Sequence, residues 1–339
     1  MEKIVVCPPG FVSMDIVKSV APKGFDMVYT SLRDPNFARE MQDASYLVAI
    51  GDIKNNDDFY KNAPNLKLVQ LLSAGYEQCD LGAAARAGVP ICNNGGANAV
   101  GVSEHAIMLM LALSRRLPWV HNSMVSGAWR GNSAPAESLH ELNAKTLGVI
   151  GLGTIGKKTA RLAKAFGMTV YYYDIARLTE DQEDAMGVKF RALPEILRQS
   201  DIITMHVPLT PGTERMIGRE ELAMMKPSAY FINTARGQVV DEQALADALN
   251  DNKLAGAGLD VFDNEPTLPS DAILKAENVI LTPHIAGPVW DNWIARFRNC
   301  FDNCQRVARG DTAFWIVPEL RDGSRTEFAG PYKSVTPTS

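Results

Sequence analysis

The stretch TLGVIGLGTIGKKTARLAKAFGMTVYYYD, residues 146–174, decides how the chain reads. An apolar run ends at Ile150, a Gly-x-Gly-x-x-Gly spacing follows at Gly151, Gly153 and Gly156, and a segment of helical length leads to a second apolar run that closes on Asp174. Strand, glycine loop, helix, strand is the order of a parallel βαβ unit. Each glycine has a task there. Gly151 permits the tight turn, Gly153 lets backbone approach a pyrophosphate, and Gly156 lets the helix pack closely on the sheet. Amides at the new helix N-terminus, beginning at Thr154 and Ile155, then face the phosphates. Asp174 lies 18 residues beyond Gly156, at the end of the second strand. A carboxylate there accepts the ribose hydroxyls of NAD and repels the 2′-phosphate of NADP, so the expected cofactor is NAD. Arg177, three residues on, is placed to reach a phosphate and leaves room for dual use.

Outward from this unit, β-rich runs alternate with amphipathic segments along most of the chain. KTLGVIGLG, MTVYYYD, GVKF, DIITMHVPL, AYFINTA, AGAGLDVF and NVILTPH read as seven strands of one doubly wound sheet. Before them KIVVCP, YLVAIGD, LKLVQLLSAG and VPICNN read as strands of a smaller unit. Residues Val102 to Leu117 form a long apolar helix between the two, with Ser103 as its N-cap. A last amphipathic segment, DNWIARFRNCFDNCQRVARG, has the pattern of a helix that packs back on the first unit. The expected fold is therefore α/β, with two Rossmann-like doubly wound parallel-sheet domains. Residues 100–288 form the NAD-binding domain, and 1–99 with 289–320 form a discontinuous substrate domain. The polar, turn-rich tail 321–339 is either disordered or laid along a surface.

Composition narrows the class. At 339 residues, 46% hydrophobic and 22% charged, the chain is an ordinary globular protein large enough for two cores. A net charge of -5 without a Lys/Arg cluster offers no footprint for nucleic acid or an anionic membrane. The N-terminus lacks the pattern of a secretory signal, and the longest apolar run, Ala106 to Leu113, is too short to span a bilayer. Five scattered cysteines suit a reducing cytoplasm, the expected location. Cys300 and Cys304 have helical i, i+4 spacing, but no His or second Cys pair accompanies them; they read as buried thiols, and no metal is expected.

Three further segments carry the chemistry. INTARGQVVDEQAL puts Arg236 after one strand, GAGLDVFDNEP puts Asp260 and Glu265 after the next, and NVILTPHIAG puts His284 after the one following. In a doubly wound sheet all these positions face the ligand crevice. With the GLGTIG fingerprint, they make residues 40 to 310 or so resemble the D-isomer-specific 2-hydroxyacid dehydrogenase family, in its glyoxylate and hydroxypyruvate reductase-like form. The resemblance implies catalysis by Arg236, Glu265 and His284. It further implies backbone donors to a substrate carboxylate from the SAGYE loop, at Ser73, Ala74 and Gly75, and Asp260 near the nicotinamide carboxamide. His206 and Pro208 would line the adenine side, with Thr234, Ala235 and Gly287 completing the cofactor contacts. The segment Gly101 to Glu141 would form a homodimer interface.

Reduction of a 2-keto acid brings hydride to the keto carbon and a proton to its oxygen. His284 as imidazolium supplies the proton. Glu265 beside the ring orients it and raises a pKa that starts near ~6.5. Arg236 holds the carboxylate and polarises the carbonyl with one fork of donors. Relatives that oxidise formate carry Gln in place of Glu265, and those that oxidise phosphite carry Lys in place of Ala74. Those acting on phosphoglycerate carry Arg in the segment where this chain has Asp52, whose charge repels a phosphate. A small unphosphorylated 2-keto acid, with glyoxylate and hydroxypyruvate leading, is the expected substrate. The alternative is an NAD-sensing, corepressor-like binding protein of the same fold, since fold does not dictate function.

Overall fold

The computed structural model describes residues 1–130 and 138–321; residues 131–137 and the tail from 322 lie outside the described residues. The chain divides into two compact units, Met1–Asn98 with the stretch beginning at Pro288, and Ala99–Gly287.

In the first unit five strands, β1 (Lys3–Val6), β2 (Asp26–Tyr29), β3 (Tyr46–Ala49), β4 (Leu68–Leu71) and β5 (Ile91–Cys92), form a parallel sheet in the order β2-β1-β3-β4-β5. Four of them are legible as apolar runs. The fifth, β2, is not, because DMVY is an edge strand with no fully buried residue and pairs only with β1. Side chains alternate across this sheet. Val5, Leu47 and Val69 pack toward Tyr60, Ala83 and Ala84, while Ile4, Val6, Tyr46 and Val48 meet Trp293, Phe297, Cys300, Phe301 and Cys304. Those last five residues share one face of the helix Trp293–Ala308, spaced as a helical apolar stripe. Burial there raises the pKa of both cysteine thiols far above the ordinary range.

In the second unit seven strands are hydrogen-bonded in parallel: β6 (Thr146–Ile150), β7 (Thr169–Tyr173), β8 (Val188–Phe190), β9 (Ile202–Met205), β10 (Tyr230–Asn233), β11 (Gly256–Leu259) and β12 (Val279–Leu281). Their order is β12-β11-β10-β9-β6-β7-β8, so the direction of winding reverses between β6 and β9, where such sheets open a ligand crevice. Leu147, Val149, Tyr172 and Ile232 face Ala106, Leu109 and Met110 of one helix and Ala160 and Ala163 of another. Ile150, Ile203, Phe231 and Ala257 face the opposite layer, with Ile196, Leu245 and Leu249. Both faces are covered, which is why these strands read as continuous apolar runs.

The long apolar helix is Ala99–Ser114, three residues earlier than its sequence pattern suggests, and eleven of its sixteen residues are buried. Ser103 is not its N-cap. It lies inside the helix, buried, and its hydroxyl donates back to the Val100 carbonyl at 2.8 Å. Serine can cap or bond backward with equal ease, so the residue type alone does not mark the boundary. Among the described residues no helix is long and apolar enough to cross a membrane.

Candidate active site

β10, β11 and β12 are neighbours in the sheet, so the loops leaving their C-terminal ends are neighbours too. Arg236 follows β10, Asp260 and Glu265 follow β11, and His284 follows β12. His284 Nδ1 lies 2.6 Å from Glu265 Oε2, and the other carboxylate oxygen accepts the Phe262 N–H at 3.0 Å. Burial opposes ionisation of Glu265, but the His284 hydrogen bond and charge, the Phe262 N–H and the Arg236 charge together hold its pKa below the ordinary carboxylate value. The hydrogen bond that His284 makes to Glu265 raises the pKa of the ring, against burial and the Arg236 charge. An ionised carboxylate can only accept, so Nδ1 carries the hydrogen toward Glu265. Arg236 Nη1 donates to the Ala235 carbonyl at 2.6 Å, and its charge acts on both members of the pair.

Asp260 is 1% exposed. Its Oδ1 accepts from Ile285 N, its Oδ2 from Ala286 N, both at 2.9 Å, and its carbonyl takes the His284 N–H at 2.8 Å. His284 itself sits at φ 53, in the left-handed region that non-glycine residues enter uncommonly. Asp260 is thus placed as the anchor of the loop that bears His284. Sequence reading passes over two residues joined to this anchor, Thr282 and His105; a histidine within the apolar pattern VSEHAIM was the available signal.

The glycine loop lies at the β6 end of the crevice. Gly151 has φ +91 and its α-carbon sits against the His206 backbone, with 2.7 Å to the carbonyl carbon from where a Cβ would be. A Cβ on Gly156 would stand 2.1 Å from the Gly151 oxygen. On Gly153 it would meet nothing within 4 Å. Asp174 binds the loop back to β7: its Oδ2 accepts from Leu152 N at 2.6 Å and its Oδ1 from Ala176 N at 2.9 Å. Arg177 Nε donates to Glu183 Oε1 at 3.2 Å and its guanidinium lies over the Phe190 ring, while the side chain stays more than half exposed. His206 Nε2 is 3.1 Å from Thr204 Oγ1, and burial takes its pKa down to about 3; the Pro208 carbonyl accepts from Thr213 Oγ1.

Residues 107–286 match the D-isomer specific 2-hydroxyacid dehydrogenase, NAD binding domain. The chain belongs to that family. It is an NAD-dependent oxidoreductase. It is 39% identical over 247 residues to a glyoxylate reductase of Korarchaeum cryptofilum, covering 73% of this chain and 74% of the relative. It is 36% identical to a D-3-phosphoglycerate dehydrogenase of Methanocaldococcus jannaschii, over 94% of this chain but only 59% of that longer protein. Among solved structures, a D-lactate dehydrogenase of Aquifex aeolicus complexed with NAD and lactic acid superposes with a TM-score of 0.76 and 31% identity, covering 91% of this chain and 96% of that one.

The second unit fits the cofactor of this family. Open space lies off Gly153, where the twelve-residue helix Thr154–Ala165 begins with no side chain capping its amides. Those amides, including Ile155, suit a diphosphate. Thr234 Oγ1 is buried without a hydrogen-bond partner, an orphan that a ligand would satisfy, and it adjoins Ala235 and Arg236. Gly287 closes the His284 loop at the end of this unit. Ser73, Ala74 and Gly75 belong to the first unit, in the turn after β4. There Ser73 Oγ donates to the Gly75 carbonyl at 2.8 Å and Asn93 donates to the Ala74 carbonyl at 3.2 Å.

Proposed function

We propose that this enzyme interconverts a small unphosphorylated 2-keto acid and its D-2-hydroxy acid. The observation that carries the reading is the 2.6 Å His284–Glu265 pair within the field of Arg236, a proton donor and a cation beside a crevice shaped for a dinucleotide. Arg236 takes the substrate carboxylate and polarises the carbonyl. His284 gives the Nε2 proton to the carbonyl oxygen as negative charge gathers there, and in the reverse direction takes it from the hydroxyl. Glu265 keeps the ring oriented and favours its charged form. Bound NADH supplies the hydride, and NAD receives it in the reverse direction. The same reading assigns Asp174 to the adenosine ribose, Thr154 and Ile155 to the diphosphate, and Ser73, Ala74 and Gly75 to carboxylate recognition. The exposed carboxylate of Asp52 supports an unphosphorylated substrate. NADH consumption measured against glyoxylate, hydroxypyruvate, pyruvate, longer 2-keto acids and a phosphorylated 2-keto acid tests the proposal, with NADPH as a parallel arm. Glyoxylate or hydroxypyruvate with NADH is expected to turn over fastest. Preference for the phosphorylated acid would overturn the substrate assignment, and preference for NADPH would overturn that of Asp174.

We also propose a cytoplasmic homodimer formed through Gly101 to Glu141. Residues 131–137 of this segment lie outside the described residues. The helix Ala99–Ser114 is largely buried in its own unit, so the support comes from the next helix and the turn beyond it. The helix Leu117–Val125 has no buried residue, and Leu117, Met124, Val125 and Trp129 are all more than half exposed. Such a concentration of exposed apolar side chains favours association. Light scattering at micromolar concentration is expected to give twice the chain mass of 37.0 kDa, and a monomer would rule the interface out.

A further inference from the structure

We infer that His105 and Thr282 are positioning residues for His284, acting through the buried carboxylate of Asp260. The inference rests on the proposed role of His284 as the proton donor. Thr282 Oγ1 donates to Asp260 Oδ1 at 2.6 Å, and His105 Nε2 lies 2.9 Å from the same hydroxyl and 3.6 Å from the same carboxylate oxygen. A hydroxyl has one hydrogen. Spent on Asp260, it leaves only lone pairs toward His105, so the imidazole must present Nε2–H. The result is a one-way chain of donors, His105 to Thr282 to Asp260, running from the buried face of the helix Ala99–Ser114 to the loop after β12. Burial lowers the pKa of His105 against the opposing charge of Asp260, which agrees with a neutral ring whose task is directional hydrogen bonding.

At its other end the chain meets the loop that needs support. Asp260 fastens the amides of Ile285 and Ala286, the two residues after His284, while His284 holds a left-handed backbone conformation. For a residue with a Cβ that conformation is sterically unfavourable. A carboxylate locked by the Thr282 hydroxyl presents both oxygens to those amides at fixed angles. A carboxylate without that lock can rotate, and the His284 ring then spends less time against Glu265. The charged groups acting on His284 are Glu265 and Asp260 from the loop after β11 and Arg236 from the loop after β10. Of these, Glu265 makes the hydrogen bond that raises the ring's pKa, so loosening the loop lowers it.

The test uses the full chain with Thr282→Val, which keeps the shape and removes the hydroxyl, and Thr282→Ser, which restores it. The titration of the His284 ring is followed by NMR in cofactor-free protein, with assignment from His284→Ala. Thr282→Val is expected to move the midpoint to lower pH and to lower kcat ~10- to 100-fold with the KM for NADH unchanged. Thr282→Ser is expected to recover both. A folded Thr282→Val with the parent's midpoint and kcat would overturn the inference. If Thr282→Val fails to fold, His105→Leu against His105→Gln decides the matter, because Gln retains an N–H donor. Leu should reproduce the loss and Gln should rescue it, and two variants alike would overturn the chain of donors. Failure of the catalytic reading itself looks different: His284→Ala would keep the parent's turnover, whatever the ring titration shows.

Discussion

Replacing His284 by alanine is expected to lower turnover ~10²- to 10⁴-fold in both directions, the usual contribution of a positioned acid or base. NADH affinity should change little, because in the proposed mechanism the ring acts at the reacting oxygen rather than on the dinucleotide. The subtler variant is Glu265→Gln, which preserves shape and removes charge. Glu265 holds the His284 pKa up, so the variant's ring should lose its proton at lower pH than the parent's. In the proposed mechanism keto-acid reduction requires the protonated ring, and its activity should therefore fade at lower pH in the variant. Oxidation requires the neutral ring as base, and its rising limb should move to lower pH as well. Turnover measured against pH in both directions checks this. Coincident profiles for parent and Glu265→Gln would mean that the 2.6 Å contact does not tune the proton donor.

The second and third glycines of the fingerprint should separate binding from folding. On Gly156 a methyl group would press to 2.1 Å from the Gly151 carbonyl oxygen, where backbone rather than a flexible side chain must yield. Overpacking of this kind costs ~1–3 kcal/mol, so Gly156→Ala should lower the melting temperature by several degrees and weaken NADH binding together. On Gly153 the same methyl meets no protein atom within 4 Å. The loss of a permissive N-cap costs under ~1 kcal/mol, so Gly153→Ala should melt close to the parent. Its methyl would occupy the space proposed for the diphosphate, and the same ~1–3 kcal/mol would then fall on binding alone, a ~5- to 150-fold rise in the Kd for NADH. Thermal melts and NADH fluorescence titrations of both variants give the answer. Parent-like affinity in Gly153→Ala would mean that the diphosphate does not lie against this loop.

What could be read directly from the chain was whatever depends on local periodicity and short spacing. Two-sided burial turns the seven strands of the second unit into apolar runs, and a turn, a helix start and a close approach in fixed succession leave glycines at 151, 153 and 156. Arg236, Glu265 and His284 were legible because each follows an apolar run, where an open parallel sheet delivers its loops to one edge. The edge strand β2 escaped, since one pairing partner and partial exposure leave it no apolar signature. Ser103 misled, because a serine hydroxyl satisfies a backbone group inside a helix as readily as at its start. Tertiary structure alone decided which polar groups meet. Arg177, three residues from Asp174 in sequence, turns to Glu183 and Phe190, and His105 reaches Thr282 across 177 residues. Spacing along a strand or helix constrains direction only over a few residues, whereas a hydrogen bond between loops depends on how sheet and helices pack, and that is a property of the whole core.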